Sequence, residues 1–155
     1  MIDRSNTDES TDVLLVEPAD EFARLARDGF SGNRPKTTVH TVSDGTDALD
    51  FLAQRGAYTD VPTPSLIVFR LDCSESESDG LTALEELTSE PALARIPVVV
   101  MADSPSEETV QEAYRPSVNA VVSTPTDPDA FLETMDLIAQ FWIATARLPN
   151  RTDRF

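Results

Sequence analysis

The 155-residue sequence has very little of several residue types that carry chemistry in other proteins. Its one cysteine, Cys73, excludes an internal disulfide and a cysteine-based metal site. Its one histidine, His40, has no second histidine or cysteine to form a site with, and no histidine–carboxylate pair is apparent. A glycine-rich phosphate loop and a nucleophile elbow are also missing. These absences argue against a small-molecule enzyme.

Basic residues are scarce too, with 12 against 28 acidic ones and a formal charge of -16. Such a charge repels nucleic acid and anionic membranes. Lys36 is the single lysine against eleven arginines, and an acidic surface poor in lysine predicts a halophilic protein, in which high salt screens the self-repulsion. Residues 1–11 are polar and charged, without the apolar segment of a signal peptide. We expect a cytoplasmic protein with a frayed N-terminal lead at 1–11 and a loose tail at 150–155.

Short apolar runs alternate with helical patterns through residues 12–149, which we expect to form one domain. Runs of this kind are typical of parallel strands buried on both faces. They are Val13–Val16, Leu66–Phe69, Ile96–Met101 and Val118–Ser123. The brief, β-branched segment Thr37–Val42 predicts a further strand nearer an edge. The first helix is expected to be broken from Gly29 and the last to run from Pro128 to about Arg147. Five strands alternating with five helices predict a doubly wound α/β domain with helices on both faces.

The order of short motifs resembles a response-regulator receiver domain over about 12–149. The motifs are Leu14-Leu15-Val16-Glu17, Asp44-Gly45, Asp79-Gly80, Ile96-Pro97-Val98-Val99-Val100, Asn119-Ala120 and Thr124-Pro125. Phe141-Trp142 and Arg147-Leu148-Pro149 resemble the tail of stand-alone receivers from salt-loving archaea. The resemblance implies a flavodoxin-like (βα)5 three-layer sandwich with a parallel sheet in strand order 2-1-3-4-5.

The chemistry of that family needs an aspartate that accepts phosphate, an acidic pair that binds Mg²⁺, a hydroxyl and a lysine. By resemblance, the acidic pair falls on Glu17 and Pro18, the nucleophile on Arg70, the hydroxyl on Ala102 and the lysine on Thr124. The resemblance therefore implies a degenerate phosphoacceptor pocket. It also implies a cis peptide bond before Pro125.

The position of the phosphoacceptor has a second reading. Asp72 stands seven residues before Asp79, a common spacing in the family, whereas Arg70 stands six residues after Pro64, which is also common. With Asp72 at the strand end, Arg70 would be an unpaired charge inside a covered strand, which costs several kcal/mol. We favour Arg70 at the strand end, either paired with Glu17 in place of a metal or pointing to solvent.

The favoured hypothesis is a stand-alone pseudo-receiver of two-component phosphorelay signalling. It would act through protein contacts, without enzymatic activity or a cofactor, on a histidine kinase or another signalling protein. One alternative is an active receiver that uses Asp72 and Mg²⁺. An alternative of another class is a flavodoxin-like small-molecule binder or enzyme.

The last helix suggests where a partner binds. Its first apolar stripe, expected to cover the sheet, contains Phe131, Met135, Ile138 and Trp142. A second stripe lies about 120° away and contains Leu137, Phe141, Ala144 and Leu148. The second stripe predicts either burial by neighbouring elements or a homodimer through this helix.

Overall fold

A computed structural model describes residues 11–31, 36–71, 77–91, 95–116 and 118–145. The strands are β1 (Thr11–Val16), β2 (Thr37–Val42), β3 (Leu66–Leu71), β4 (Val98–Ala102) and β5 (Ala120–Ser123). The helices are α1 (Asp20–Ser31), α2 (Gly45–Ala53), α3 (Glu77–Thr88), α4 (Glu107–Tyr114) and α5 (Pro128–Ala139). A 3₁₀ turn covers Gly56–Tyr58, and a π-helical segment, Gln140–Thr145, continues α5. The lead expected at 1–11 lies outside the described residues except for Thr11, which is instead the first residue of β1, and the tail expected at 150–155 lies wholly outside them.

The five strands form one parallel sheet in the order β2-β1-β3-β4-β5. This confirms the flavodoxin-like architecture, with β1, β3 and β4 in the centre. Their side chains are almost completely buried because helices cover both faces of the sheet. One core cluster joins the sheet to α1 and α5, and the other joins it to α2, α3 and α4.

Helix starts follow the polar residues that precede them. The side chains of Asp44, Ser106 and Asp127 each accept a hydrogen bond from a backbone N–H three residues later, at 2.9–3.1 Å. These contacts satisfy N–H groups that have no partner within the helix. Pro128 occupies the first turn of α5, where its missing N–H costs nothing.

Several predicted boundaries differ from the structure. Strands β4 and β5 begin at Val98 and Ala120, each two residues after the start expected from the apolar runs. The last helix, expected to reach about Arg147, is α-helical only to Ala139 and continues as the π-helical segment.

Helices α1 and α3 also differ from the expected boundaries. Helix α1 does not break at Gly29 but continues through it to Ser31. A Cβ atom at Gly29 would lie 2.7 Å from the Cβ of Met135, so this glycine allows α1 and α5 to approach closely. The range 72–79 is rich in serine and acidic residues, which predicts a loop, but helix α3 already begins at Glu77.

None of the helices in the described ranges has the length and apolar character needed to cross a bilayer.

Candidate functional site

The carboxyl ends of the strands bring together residues that are far apart in sequence. Val16 pairs with Phe69, and Arg70 pairs with Met101, so Glu17 and Arg70 lie side by side at this edge of the sheet. The Glu17 N–H donates to Val42 O at 2.9 Å, which extends the hydrogen-bond ladder between β1 and β2 by one residue. This bond fixes the position of the Glu17 backbone, and therefore the point from which its side chain extends. In open parallel sheets, functional clefts lie at this edge.

Arg70 forms an ion pair with Glu17. The Arg70 Nη1 atom donates to Glu17 Oε1 at 2.8 Å, and the two side chains are only 11% and 2% exposed. The other carboxylate oxygen, Oε2, accepts the Ala19 N–H at 3.2 Å. Both oxygens of Glu17 are therefore engaged within the protein. Of the two arrangements expected for Arg70, the structure shows the pairing with Glu17 and not the side chain pointing to solvent.

Two phenylalanines complete the surroundings of the Arg70 guanidinium. Its carbon lies 5.1 Å from the ring centroid of Phe22 on α1 and 5.6 Å from that of Phe131 on α5. The two rings meet edge to face at 4.8 Å. Cation–π contacts stabilise a desolvated guanidinium. One side chain thus connects the ends of β1 and β3 to the two helices on this side of the sheet.

The protonation of Glu17 reflects opposing influences. Burial raises the pKa of Glu17 above its usual value, and the nearby Asp103 acts in the same direction. The charge and hydrogen bond of Arg70, together with the Ala19 N–H, act in the opposite direction. Burial is the largest influence, because moving a carboxylate out of water disfavours its charged form.

The other predicted pocket residues do not all join this cluster. Pro18 is exposed and has no side-chain ligand to offer, and Ala102 packs in the core on the α2, α3 and α4 side of the sheet. Thr124 follows β5 and is 2% exposed, and its N–H donates to Ala102 O at 2.9 Å. Its hydroxyl is buried and makes no hydrogen bond within the described part of the chain.

The expected cis bond before Pro125 is absent: the Thr124–Pro125 peptide is trans. The trans isomer is intrinsically the more stable one even before proline. In this geometry Thr124 keeps its ladder hydrogen bond to β4. The prediction of a cis bond, which came from the family pattern, was wrong.

The described residues do not suit a divalent cation at this edge. Both Glu17 oxygens are engaged, a guanidinium already neutralises that carboxylate, and Pro18 offers no oxygen ligand from its side chain. Within the described ranges no group of three or more histidine, cysteine, aspartate or glutamate side chains could hold a metal ion. Asp72, the alternative acceptor, lies outside those ranges.

Sequence reasoning missed several contacts. Asp103, which follows β4, acts on Glu17, and Phe22 and Phe131 enclose Arg70. His40, which was given no partner, has its Nε2 atom 3.0 Å from Oδ1 of the buried Asp12. This contact depends on the register of β1 against β2, which the residue pattern alone does not give.

The last helix exposes part of its second apolar stripe. The first stripe is in the core, where Phe131 and Met135 are fully buried. Leu137 and Phe141 are 61% and 53% exposed, and they lie one helical turn apart on the same side. The side chain of Ala144 and all of Leu148 lie outside the described residues.

Comparisons with known proteins were consistent with this fold. The chain is 32% identical over 137 residues to the response regulator Rcp1 from Synechocystis sp., which covers 88% of this chain and 92% of that protein. The crystal structure of the phosphorylated cyanobacterial phytochrome response regulator RcpA superimposes with a TM-score of 0.80 at 32% identity and covers 91% of this chain and 99% of that one. The Mn²⁺-bound form of Rcp1 gives a TM-score of 0.79 at 31% identity, covering 90% and 99%.

No known family model matches the sequence. The relatives named above are nevertheless response regulators, which are signalling proteins. Their similarity extends over almost the whole chain and agrees with the strand order of the sheet. This chain belongs to the response-regulator receiver family of two-component signalling.

Proposed function

We propose that this protein is a pseudo-receiver: a stand-alone receiver that acts in the cytoplasm through protein contacts, without carrying an aspartyl phosphate. The observation that carries the proposal is the buried ion pair between Arg70 and Glu17. A guanidinium is permanently charged and is not a nucleophile for phosphoryl transfer. It supplies positive charge beside Glu17 without a metal ion.

The rest of the edge supports the same proposal. Ala102 carries no hydroxyl, and Thr124 carries no cationic group that could meet phosphoryl oxygens. Arg70 is held by groups from β1, α1 and α5, so its position depends on the packing of the domain. The pocket would therefore stay in one state, and the protein would present a constant surface to its partners, such as a histidine kinase or another signalling protein.

The test is exposure of the purified full chain to acetyl phosphate with Mg²⁺, followed by intact-mass measurement. We expect no added phosphoryl mass, and no change in thermal stability with beryllofluoride and Mg²⁺. A cyanobacterial relative such as Rcp1, treated in parallel, serves as the comparison for the reagents. Phosphoryl mass that appears only with Mg²⁺ and maps to an aspartate would contradict the proposal.

An active receiver is the second candidate function. It is favoured by the relatives, because RcpA was crystallised in a phosphorylated form and Rcp1 with Mn²⁺ bound. In this case Asp72 would accept the phosphoryl group and Mg²⁺ would be needed. Asp72→Asn would then abolish the mass increase, whereas Asp79→Asn, a change of the same kind seven residues later, would retain it.

We also propose that a second copy of the chain binds at Leu137 and Phe141. Two large apolar side chains on one exposed turn can meet the same pair on a copy related by a two-fold axis. Light scattering of the wild type should show a dimer that Phe141→Ser weakens, while Glu86→Ser, at an exposed position of α3 on the other face of the sheet, leaves it intact. A monomer at every salt concentration would remove this proposal.

A further inference from the structure

A groove between α3 and the end of α4 lies apart from the Arg70 pocket. Its walls are Leu81, Thr82 and Glu85 on α3, and Glu112, Arg115 and Pro116 at the end of α4. These two helices cover the opposite face of the sheet from the one covered by Phe22 and Phe131. We infer that this groove binds a lysine or arginine side chain presented by a partner protein.

The size of the groove favours a side chain as its occupant. It encloses ≈ 260 Å³. Pockets that bind small molecules and cofactors usually enclose about 300–1,000 Å³. The groove is open to solvent and smaller than that range, so a single long side chain fits it better than a cofactor does.

The charges along the groove favour a cation. Glu85 and Glu112 face it from different helices, and neither carboxylate has an ion-pair partner among the residues that the structure describes. Arg115 offsets one of these two charges and leaves a net negative groove. The chain as a whole carries a formal charge of -16, which attracts basic partners over long distances.

The apolar walls favour a long basic side chain over a small cation. Leu81 and Pro116 give the groove two hydrocarbon surfaces. Lysine and arginine bury their methylene stems on such surfaces while their charged ends stay near water and carboxylates. This contact is less sensitive to salt than the ion pairs, so it would persist at the high salt expected for this protein. The proposal does not depend on whether Asp72 accepts phosphate.

The test uses the ¹⁵N-labelled full chain and N-acetyl-arginine amide as the probe. Backbone amide shifts should concentrate at Leu81, Thr82, Glu85, Glu112 and Arg115. Methylguanidinium, which lacks the long stem, should bind more weakly at the same sites. Glu85→Gln with Glu112→Gln should weaken binding about tenfold, as expected for the loss of two exposed charge contacts.

A matched control distinguishes binding in the groove from non-specific attraction of the probe to the acidic surface. Glu86→Gln with Glu133→Gln removes the same charge from two exposed positions outside the groove, and should leave the affinity unchanged. Arg115→Gln should strengthen binding, because it removes a like charge. Shifts spread evenly over the acidic surface, or an equal loss in the control pair, would overturn the proposal.

Discussion

Arg70 carries a permanent charge at a site where water is largely excluded. Its contribution to the stability of the fold therefore depends on its ion-pair partner, Glu17. Its side chain is 11% exposed, and Glu17 at 2.8 Å is 2% exposed. A buried pair contributes little compared with apolar residues of similar size, but removing one member leaves an uncompensated charge. The pair is therefore stabilising only as a unit.

Arg70→Met should lower the free energy of unfolding by about 3–5 kcal/mol, because it leaves the Glu17 carboxylate buried without its cation. Urea unfolding at pH 7 measures this loss. Adding Glu17→Gln to the Arg70 variant should recover most of it.

Arg55→Met is the matched control, since Arg55 also pairs with a carboxylate, Asp50, at 2.7 Å, but is 64% exposed. It should cost about 0–1 kcal/mol. Equal losses for the two arginines would show that the pocket pair is not a desolvated one.

Thr124→Val replaces a buried hydroxyl that has no hydrogen bond to the described residues by a methyl group of similar size. We expect a gain of about 1 kcal/mol in unfolding free energy, because an unsatisfied buried polar group is destabilising. Thr109→Val is the control. Thr109 is also buried, but its hydroxyl lies 2.9 Å from that of Ser106, so this change should cost about 1 kcal/mol. If both changes destabilise equally, the Thr124 hydroxyl has a partner in solution.

The sequence predicted the ion pair at the strand ends better than the aromatic side chains from the helices. Glu17 and Arg70 follow buried strands, and parallel strands place such residues at one edge, so their pairing could be anticipated. Phe22 and Phe131 lie on helices, and the choice of which helix faces cover a given strand end depends on three-dimensional packing. The trans peptide bond before Pro125 also differs from the expected cis bond. The family pattern does not fix the isomer of this bond when the residues around it, such as Ala102 and Thr124, have changed.

At the scale of secondary structure elements, the packing of α1 against α5 holds both rings that enclose Arg70. Gly29 lies where the two helices approach closely, and a Cβ there would be 3.2 Å from Asp136 N and 3.3 Å from Leu132 O. These two neighbours are backbone atoms, which cannot move aside as the end of a side chain can. The spacing of α1 and α5 therefore depends on this glycine.

Gly29→Ala should destabilise the protein by about 1–3 kcal/mol through overpacking, even though alanine favours a helix by about 1 kcal/mol. Thermal unfolding measures the effect. Gly80→Ala on α3 is the control, because a Cβ there meets no backbone atom within 4 Å, only the end of the Leu71 side chain at 2.8 Å. A Gly29 variant as stable as the wild type would mean that α1 and α5 can separate without cost.

The same glycine explains why the predicted end of α1 was wrong. Local preference makes glycine a helix breaker, but tight packing against α5 keeps it inside the helix. The strands were easier to predict, because runs such as Leu66–Phe69 are apolar on both faces and can be stable only in the centre of a covered sheet. The pair between His40 and Asp12 needed the relative position of two strands, which composition alone does not provide.

At the scale of the whole molecule, net charge is the dominant electrostatic feature. A formal charge of -16 on 155 residues repels itself more strongly when the chain is compact than when it is unfolded. The exposed ion pair between Arg55 and Asp50 offsets little of this repulsion. Stability should therefore depend on the ions in solution.

The urea concentration at the midpoint of unfolding should rise as KCl increases from 0.2 M. Most of the rise should be complete near 1 M, where the Debye length falls to about 3 Å and the repulsion between surface carboxylates is screened. To separate screening from a general effect of salt on apolar burial, the same series is measured on a variant with four exposed acids replaced by their amides. These are Asp28, Glu86, Glu90 and Glu133. The variant should be more stable than the wild type in dilute salt and should respond less to KCl. If both proteins respond equally, or if the wild type is no more stable at 1 M than at 0.2 M, the acidic surface is not an adaptation to salt.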